Sequence, residues 1–400
     1  MKLYSKILIV ILVVFTSCKS NKNAVDNIRE LVNILLLKGS IGKKGAGMNP
    51  LRGQNNVQGA ADMGCQPHQG AGYFEVADEK NQNFYTEKYG VVHPTKAGLK
   101  IPQMFDGAIN KDVKAVWIIG EDIVQTDPNS AHVVEAMNSL ELLVVQEIFM
   151  SETAKLATVV LPGTTFLEKD GTFTNTERRV QMIRPAINTV GDSKPDYVII
   201  QEIMNAIGYK QEILTPSEIM DEAASLTPIY QGVSYDRIQE IGLQWPVLDK
   251  NHPGTKYLHK DKFARGLALF SEVEFAQAKE LPDDNYPLVL TTGRVLYHFH
   301  TITMTGKNDE INEIVPENFI EISPKTAEIY KLKHMDHASV SSRRGKTKAI
   351  VHITDKIGDG VMFMPFHFAD GANMLTNTEL DETCNIPELK VCAVQIDGKL

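Results

Sequence analysis

Cysteine is scarce in this chain: four among 400 residues, at Cys18, Cys65, Cys384 and Cys392. None forms a C-x-x-C pair, so a disulfide scaffold is excluded, and so is an iron–sulfur cluster held by this chain unaided. Positive charge is also in deficit, with 41 Lys and Arg against 50 Asp and Glu and a formal net charge of −9. No basic stripe interrupts that balance, which argues against a nucleic-acid binder. Neither G-x-x-x-x-G-K-[ST] nor G-x-G-x-x-G occurs, so the two standard phosphate fingerprints are missing. Internal repeats and low-complexity tracts are absent as well. What remains, 43% hydrophobic and 23% charged, is the composition of an ordinary globular protein whose length implies two or three domains.

The first twenty residues differ in kind. Lys2 and Lys6 precede an apolar run from Ile7 to Phe15, then Thr16-Ser17-Cys18. The run is too short for a transmembrane helix and has the layout of a signal peptide. A cysteine directly after small residues looks like a bacterial lipoprotein site. The expectation over 1–20 is therefore a signal-like leader, with membrane anchoring at Cys18; a fused or chance N-terminus is the alternative.

Beyond the leader, apolar residues at Ile28, Leu31, Val32, Leu35 and Leu36 predict a helix ended by Gly39. Residues 70–107 carry no clear period. From Lys111 the pattern becomes α/β: a buried strand over 113–119, a helix begun by Asp127-Pro128 with Val133, Val134 and Met137 on one face, a strand over 140–145, a short helix near 151–156, and a strand over 158–161. Residues 168–179 read as a polar turn, 196–207 as a helix, and 281–284 as a linker. Short β-patterned runs follow at 286–292, 319–322, 338–342, 347–354 and 361–364, which suggests a compact barrel. The fold class expected is α/β: a parallel-sheet, dinucleotide-binding-like lobe over 25–280, followed by a barrel over 285–400.

Alternating strands and helices imply a parallel sheet, and ligands of such sheets sit beyond the carboxyl ends of the strands. Polar clusters fall at all three of those ends. Asp122, Asp127 and Glu147 can accept from a guanine edge or ribose hydroxyls, while backbone N–H groups near Gly120 and Gly171 can face phosphates. The competing reading is that these acids cap helices. In the barrel, His298 and His300 lie two apart on one face of a strand, but no third ligand is near, so no protein-ligated metal is expected. Cys392 sits in an apolar run and reads as buried and inert.

The densest signal is Asn49-Pro50-Leu51-Arg52-Gly53-Gln54-Asn55-Asn56-Val57-Gln58-Gly59-Ala60-Ala61-Asp62-Met63-Gly64. It is an amide-rich stretch with three glycines and one charge of each sign. Glycine permits close approach of a backbone to a ligand, amides both donate and accept, and a lone arginine can fork onto a carboxylate or phosphate.

This run resembles, nearly letter for letter, a signature of the molybdenum or tungsten formate dehydrogenase catalytic subunit, among the bis-molybdopterin-guanine-dinucleotide oxidoreductases. The resemblance extends from about Val25 to the C-terminus. It implies oxidation of formate to CO2 by hydride transfer to a molybdenum- or tungsten-pterin centre, and a double-psi-type C-terminal barrel. It assigns formate orientation to Arg52, and cofactor contacts to Gln54 and to segments matching Trp117–Asp127 (Gly120, Glu121, Asp122, Asp127), Gln146–Ile148 (Gln146, Glu147, Ile148) and Glu168–Asn175 (Glu168, Gly171, Asn175). In the barrel it implies contacts from Arg294, His298, His300 and Thr305, and near the end from Asn373 and Lys390.

Members of the family are longer at the N-terminus. There they carry the cysteines for a [4Fe–4S] cluster, a cysteine or selenocysteine metal ligand with an essential histidine after it, and much of a second dinucleotide site. None of these has a counterpart here. The resemblance therefore implies a C-terminal portion that is inactive alone, with exposed apolar surface and a possible need for an N-terminal enzyme half or electron-transfer subunit. A lipid-anchored, non-catalytic remnant and one half of a split enzyme are the alternatives. Members of the family are cytoplasmic or periplasmic, and those that are exported travel folded on twin-arginine signals, which this leader lacks.

Overall fold

The computed structural model describes residues 21–400; the leader and Cys18 lie outside them. Contacts group the chain non-linearly into two compact units. One combines 102–161 with 270–400 and the part up to Ile34 of a helix that spans Asn21–Leu37, and the other combines 35–101 with 162–269.

In the first unit, three strands, β1 (Ala115–Ile119), β2 (Leu142–Glu147) and β3 (Val159–Pro162), form one sheet in sequence order. β1 and β2 pair in parallel, with Trp117 opposite Val144. Parallel strands need a crossover, and the helix Ser130–Asn138 provides it. Its Val133, Ala136 and Met137 bury against Ile118, Leu143 and Val145 of the sheet, together with Phe105 and Ala108 of the helix Ile101–Ile109. Among the described residues the opposite face is bare: Trp117, Ile119, Leu142 and Val159 are each more than a third exposed. The reading of 113–119 as a fully buried strand is thus corrected, because only alternate residues are covered. Sheets of this kind ordinarily bury both faces. The expected exposed apolar surface is therefore present, and it sits here.

The same unit contains a closed six-stranded barrel built from β4 (Leu288–Gly293), β5 (Phe319–Ile322), β6 (His337–Ser341), β7 (Lys346–Ile353), β8 (Val361–Pro365) and β9 (Cys392–Lys399). Around the wall the order is β5-β7-β6-β9-β4-β8. β5 with β7 and β4 with β8 are parallel, and the other pairs are antiparallel. Closure removes sheet edges, and inward residues (Leu290, Ile320, Ile322, Val340, Val351, Met362, Met364, Val394) fill the interior. The expected linker at 281–284 is tied down rather than loose. Glu280 accepts from both ends of the Arg344 fork (2.7 and 2.9 Å) and from the Ala393 N–H (2.9 Å). Cys392 is buried beside that pair, its thiol pushed up to about 12 by burial.

The second unit packs Val180, Met220, Tyr230, Ile238, Trp245 and Val247 into its core. Residues 168–179, read as a turn, instead open an antiparallel hairpin of Gly171–Thr174 with Arg179–Ile183, extended by Leu243–Gln244. Asn175 makes its turn by accepting from the Glu177 and Arg179 N–H groups (3.1 and 2.9 Å). Thr172, Phe173 and Thr174 are good strand formers, so the polar sequence hid a β pattern. The region 70–107 holds a helix, Glu79–Tyr89, capped by Asp78 and closed by Gly90 at φ 67°.

Candidate cofactor and substrate site

In the first unit, β1 ends at Ile119 and the chain turns at Gly120, whose φ of 64° favours glycine. The Gly120 N–H donates to the Gln146 carbonyl (2.9 Å), which ties the turn to the end of β2. Asp122 follows, buried. Its Oδ1 accepts from the Thr153 N–H (2.9 Å) and hydroxyl (2.6 Å), and its Oδ2 from Gln125 Nε2 (2.6 Å) and the Glu152 N–H (3.4 Å). These four donors fill the carboxylate. Asp122 thereby fastens two strand-end loops to each other.

Asp127 behaves differently. The helix begins two residues later than expected, with Asn129 as N-cap, so Asp127 closes the short helix Ile123–Thr126 instead of capping the next one. Burial pushes its carboxyl up to about 6; the Thr126 hydroxyl (3.3 Å) opposes this and the Glu121 charge adds to it. Glu121 is raised as well, mainly by burial. An acid short of donors at a strand end is suited to a ligand that brings N–H groups, as the edge of guanine does. Asp127 lines a cavity of about 280 Å3 with Phe105, Asn129, His132, Leu380 and Pro387. Beside it Ser130 Oγ is buried and has no hydrogen-bond partner among the described residues. A neighbouring cavity of about 200 Å3 is lined by Gln125, Phe149, Ser151, Thr303 and Lys307. Glu147 accepts the N–H of Ile148 (2.7 Å), which shapes the end of β2. Acids for a base edge, an orphan hydroxyl and a lysine for phosphate fit one nucleotide arm of a pterin guanine dinucleotide.

The barrel residues divide. His298 and His300 lie in a loop after β4, not on a strand, which corrects the shared-face reading. His298 is buried with both ring nitrogens occupied: Nε2 donates to the Val315 carbonyl (2.8 Å) and Nδ1 accepts from the Thr305 hydroxyl (3.2 Å). His298 and Thr305 therefore brace the loop that borders the smaller cavity. His300 and Ile302 in this loop hold φ of 50° and 53°, a sparsely populated conformation for a β-branched residue. His300 is held below the usual histidine range by burial and by Arg294 and His367. Arg294 is exposed, its guanidinium 5.5 Å from the Phe366 ring. Asn373 donates to the Gln125 and Thr126 carbonyls (2.6 and 3.1 Å), so it straps the barrel to the strand-end loop. Lys390 Nζ donates to the Thr292 carbonyl (2.6 Å).

The second unit holds Arg52, Gln54, Glu168, Gly171 and Asn175. Glu168 accepts from the Thr165 N–H and hydroxyl (2.7 and 2.8 Å) and from the Val190 N–H (2.8 Å), which hold its carboxyl below the usual range. These bonds hold its own loop in place. Gly171 starts the hairpin strand, and Asn175 makes the hairpin turn.

The signature stretch becomes a short helix, Val57–Asp62, entered through Asn56 at φ 60°. Asn56 Oδ1 accepts the Thr174 N–H (2.9 Å), and Gly59 makes that approach possible: a Cβ there would meet Asn56 Oδ1 at 2.1 Å. Gln54 is half-buried in the approach to this helix. Arg52 is exposed, with Nε and Nη2 both donating to Gln58 Oε1 (3.2 and 2.9 Å). That leaves the Nη1–Nη2 edge to present parallel donors, the geometry that grips a carboxylate. Behind Gln58 lies Asp62, fully buried, which the sequence reading missed. The available signal was the i, i+4 spacing of Gln58 and Asp62 on one helix face.

Two family models match this chain: molybdopterin oxidoreductase over residues 10–206 and the molydopterin dinucleotide binding domain over residues 288–393. The chain is 47% identical to the F420-dependent formate dehydrogenase subunit alpha of Methanocaldococcus jannaschii over 380 residues, 94% of this chain and 56% of that protein. It is 43% identical over 380 residues to the F420-dependent formate dehydrogenase 2 subunit alpha of Methanococcus maripaludis, covering 93% of this chain and 56% of that protein. The probable oxidoreductase YjgC of Bacillus subtilis is 37% identical over 93% of the chain and 38% of its own length. Among solved structures, acetylene hydratase from Pelobacter acetylenicus shares the fold, with a TM-score of 0.59 at 19% identity, covering 78% of this chain and 49% of that one. The chain thus spans little more than half the length of the curated formate dehydrogenase subunits it matches. Its parallel sheet and closed barrel agree with these matches, and the chain belongs to the molybdopterin oxidoreductase family.

Proposed function

We propose that this chain is the portion of a formate dehydrogenase alpha subunit that binds one molybdopterin guanine dinucleotide and orients formate. The observation that carries the reading is the Arg52 guanidinium, fixed along one edge by Gln58 and open along the other, inside the signature stretch. Formate is a carboxylate with one C–H bond. A fork on its two oxygens leaves the C–H pointing away from the arginine and toward an acceptor. The molybdenum or tungsten pterin supplies that hydride acceptor when bound. Asp127 and Glu121 would take the guanine edge, while Ser130, Lys307 and the Gly120 turn would meet ribose and phosphate.

The 400 residues by themselves are proposed not to turn over formate, because the iron–sulfur and metal-ligand segments of the family have no counterpart among them. The bare apolar face of β1–β3 favours a second reading, one half of a split enzyme. The test is production in a cofactor-synthesising host, with pterin, metal and formate-oxidation assays on the purified chain. Bound guanine-containing pterin without turnover supports the proposal. Turnover by the chain alone contradicts the claim of inactivity, and absence of both pterin and GDP binding contradicts the cofactor role.

A further inference from the structure

Asp62 is fully buried, yet it sits behind a solvent-exposed arginine with a single side chain between them. Its Oδ1 accepts from Gln58 Nε2 (2.8 Å) and the Tyr73 hydroxyl; its Oδ2 accepts from the Tyr230 hydroxyl (2.6 Å) and Trp245 Nε1 (2.7 Å). Four donors surround one acceptor-only group, so each must point its hydrogen inward. Tyr73 also accepts from Gln58 Nε2 (2.8 Å), which engages both hydrogens of that amide. Only Gln58 Oε1 is left to face outward, and Arg52 donates to it twice.

An amide alone has no preferred end, and its orientation is set by its partners. We propose that Asp62 is a positioning residue: it fixes the polarity of Gln58 and thereby holds Arg52 with its outer edge toward the substrate carboxylate. The inference rests on the reading of Arg52 as the formate-orienting residue. Burial and the nearby carboxylate raise both the Tyr73 and Tyr230 phenols well above their ordinary range, so both remain donors. Without the anion, Gln58 could turn its NH2 toward Arg52, and the guanidinium would lose its acceptor.

The test uses the full chain with Asp62→Asn, which preserves shape, and Gln58→Met, which removes the acceptor nearer the surface. Two signals are read: the 15N resonance and water exchange of Arg52 Nε–H, and [13C]formate line broadening. Expected is the same displacement and faster exchange of the Arg52 signal in both variants. Formate binding should weaken about tenfold, the scale of one lost charge-assisted hydrogen bond. The double variant should be no worse than either single one, because both act along one route.

An unchanged Arg52 signal and unchanged affinity in both variants, with Arg52→Ala abolishing binding, would overturn the positioning role. Formate binding that is insensitive to Arg52→Ala, or absent from the parent chain, would overturn the substrate reading and the inference built on it. Circular dichroism separates either outcome from misfolding, and Gln58→Met carries the test if Asp62→Asn fails to fold.

Discussion

Replacing Asp127 with asparagine should make the fold more stable at neutral pH while weakening its grip on guanine. Burial pushes the Asp127 carboxyl from 3.8 up to about 6. The folded state therefore prefers the protonated acid. Between about pH 4 and about pH 6 the unfolded chain has released its proton while the folded chain still holds it, so stability falls as pH rises through that window and then levels off. A shift of about two pKa units corresponds to at most about 3 kcal/mol. Asp127→Asn removes this penalty. Hydrogen exchange across residues 123–145 should slow at about pH 8 and be unchanged at about pH 4. The local exchange readout avoids assuming that two compact units unfold together. Guanine, which offers two N–H donors to a carboxylate, should bind the variant less well, since an amide accepts through only one oxygen. Faster exchange in Asp127→Asn at about pH 8, or an equal gain at both pH values, would refute the idea that this carboxyl is held short of donors.

Asp122→Ala should destabilise the strand-end loops by about 3 kcal/mol in urea unfolding, because it strands the buried donors of Thr153, Gln125 and Glu152. Gly59→Ala should lower stability by about 1–3 kcal/mol and loosen the signature stretch, since a Cβ would strike Asn56 Oδ1 at 2.1 Å; thermal melts and exchange at Thr174 read this out. Paired lysines at Trp117 and Leu142 should reduce self-association in analytical ultracentrifugation, because both lie on the bare sheet face. Unchanged association would show that the face is not adhesive in solution.

The elements most legible in the sequence were those with a clean period. The strand at 319–322 and the helix 196–206 matched within a residue, because alternating or 3.6-spaced apolar residues record burial directly. The hairpin at 171–183 was not legible, since polar Thr172, Thr174 and Gln181 make its strands look like a loop. The helix 216–226 has a capping box in Thr215 and Glu218 that is readable in the sequence. The non-linear grouping of 102–161 with 270–400 leaves no local trace, because it depends on contacts far apart in sequence.

At the site, residue types were legible but their employment was not. Asp122, Glu168, His298 and Asn373 are ligand-contact candidates from the sequence, and each is also engaged by protein groups that only the fold brings near. Arg52 was found by its sequence surroundings. Asp62, one side chain behind it, is not legible because Tyr230 and Trp245 arrive from distant positions.

The most direct test of the central claim, that the strand-end loops hold a guanine dinucleotide, is calorimetric titration of the purified chain with GDP and ADP at neutral pH. GDP should bind with measurable heat that Asp127→Ala removes, and ADP should bind far more weakly. No heat with GDP, or equal heats for the two nucleotides, would contradict the account.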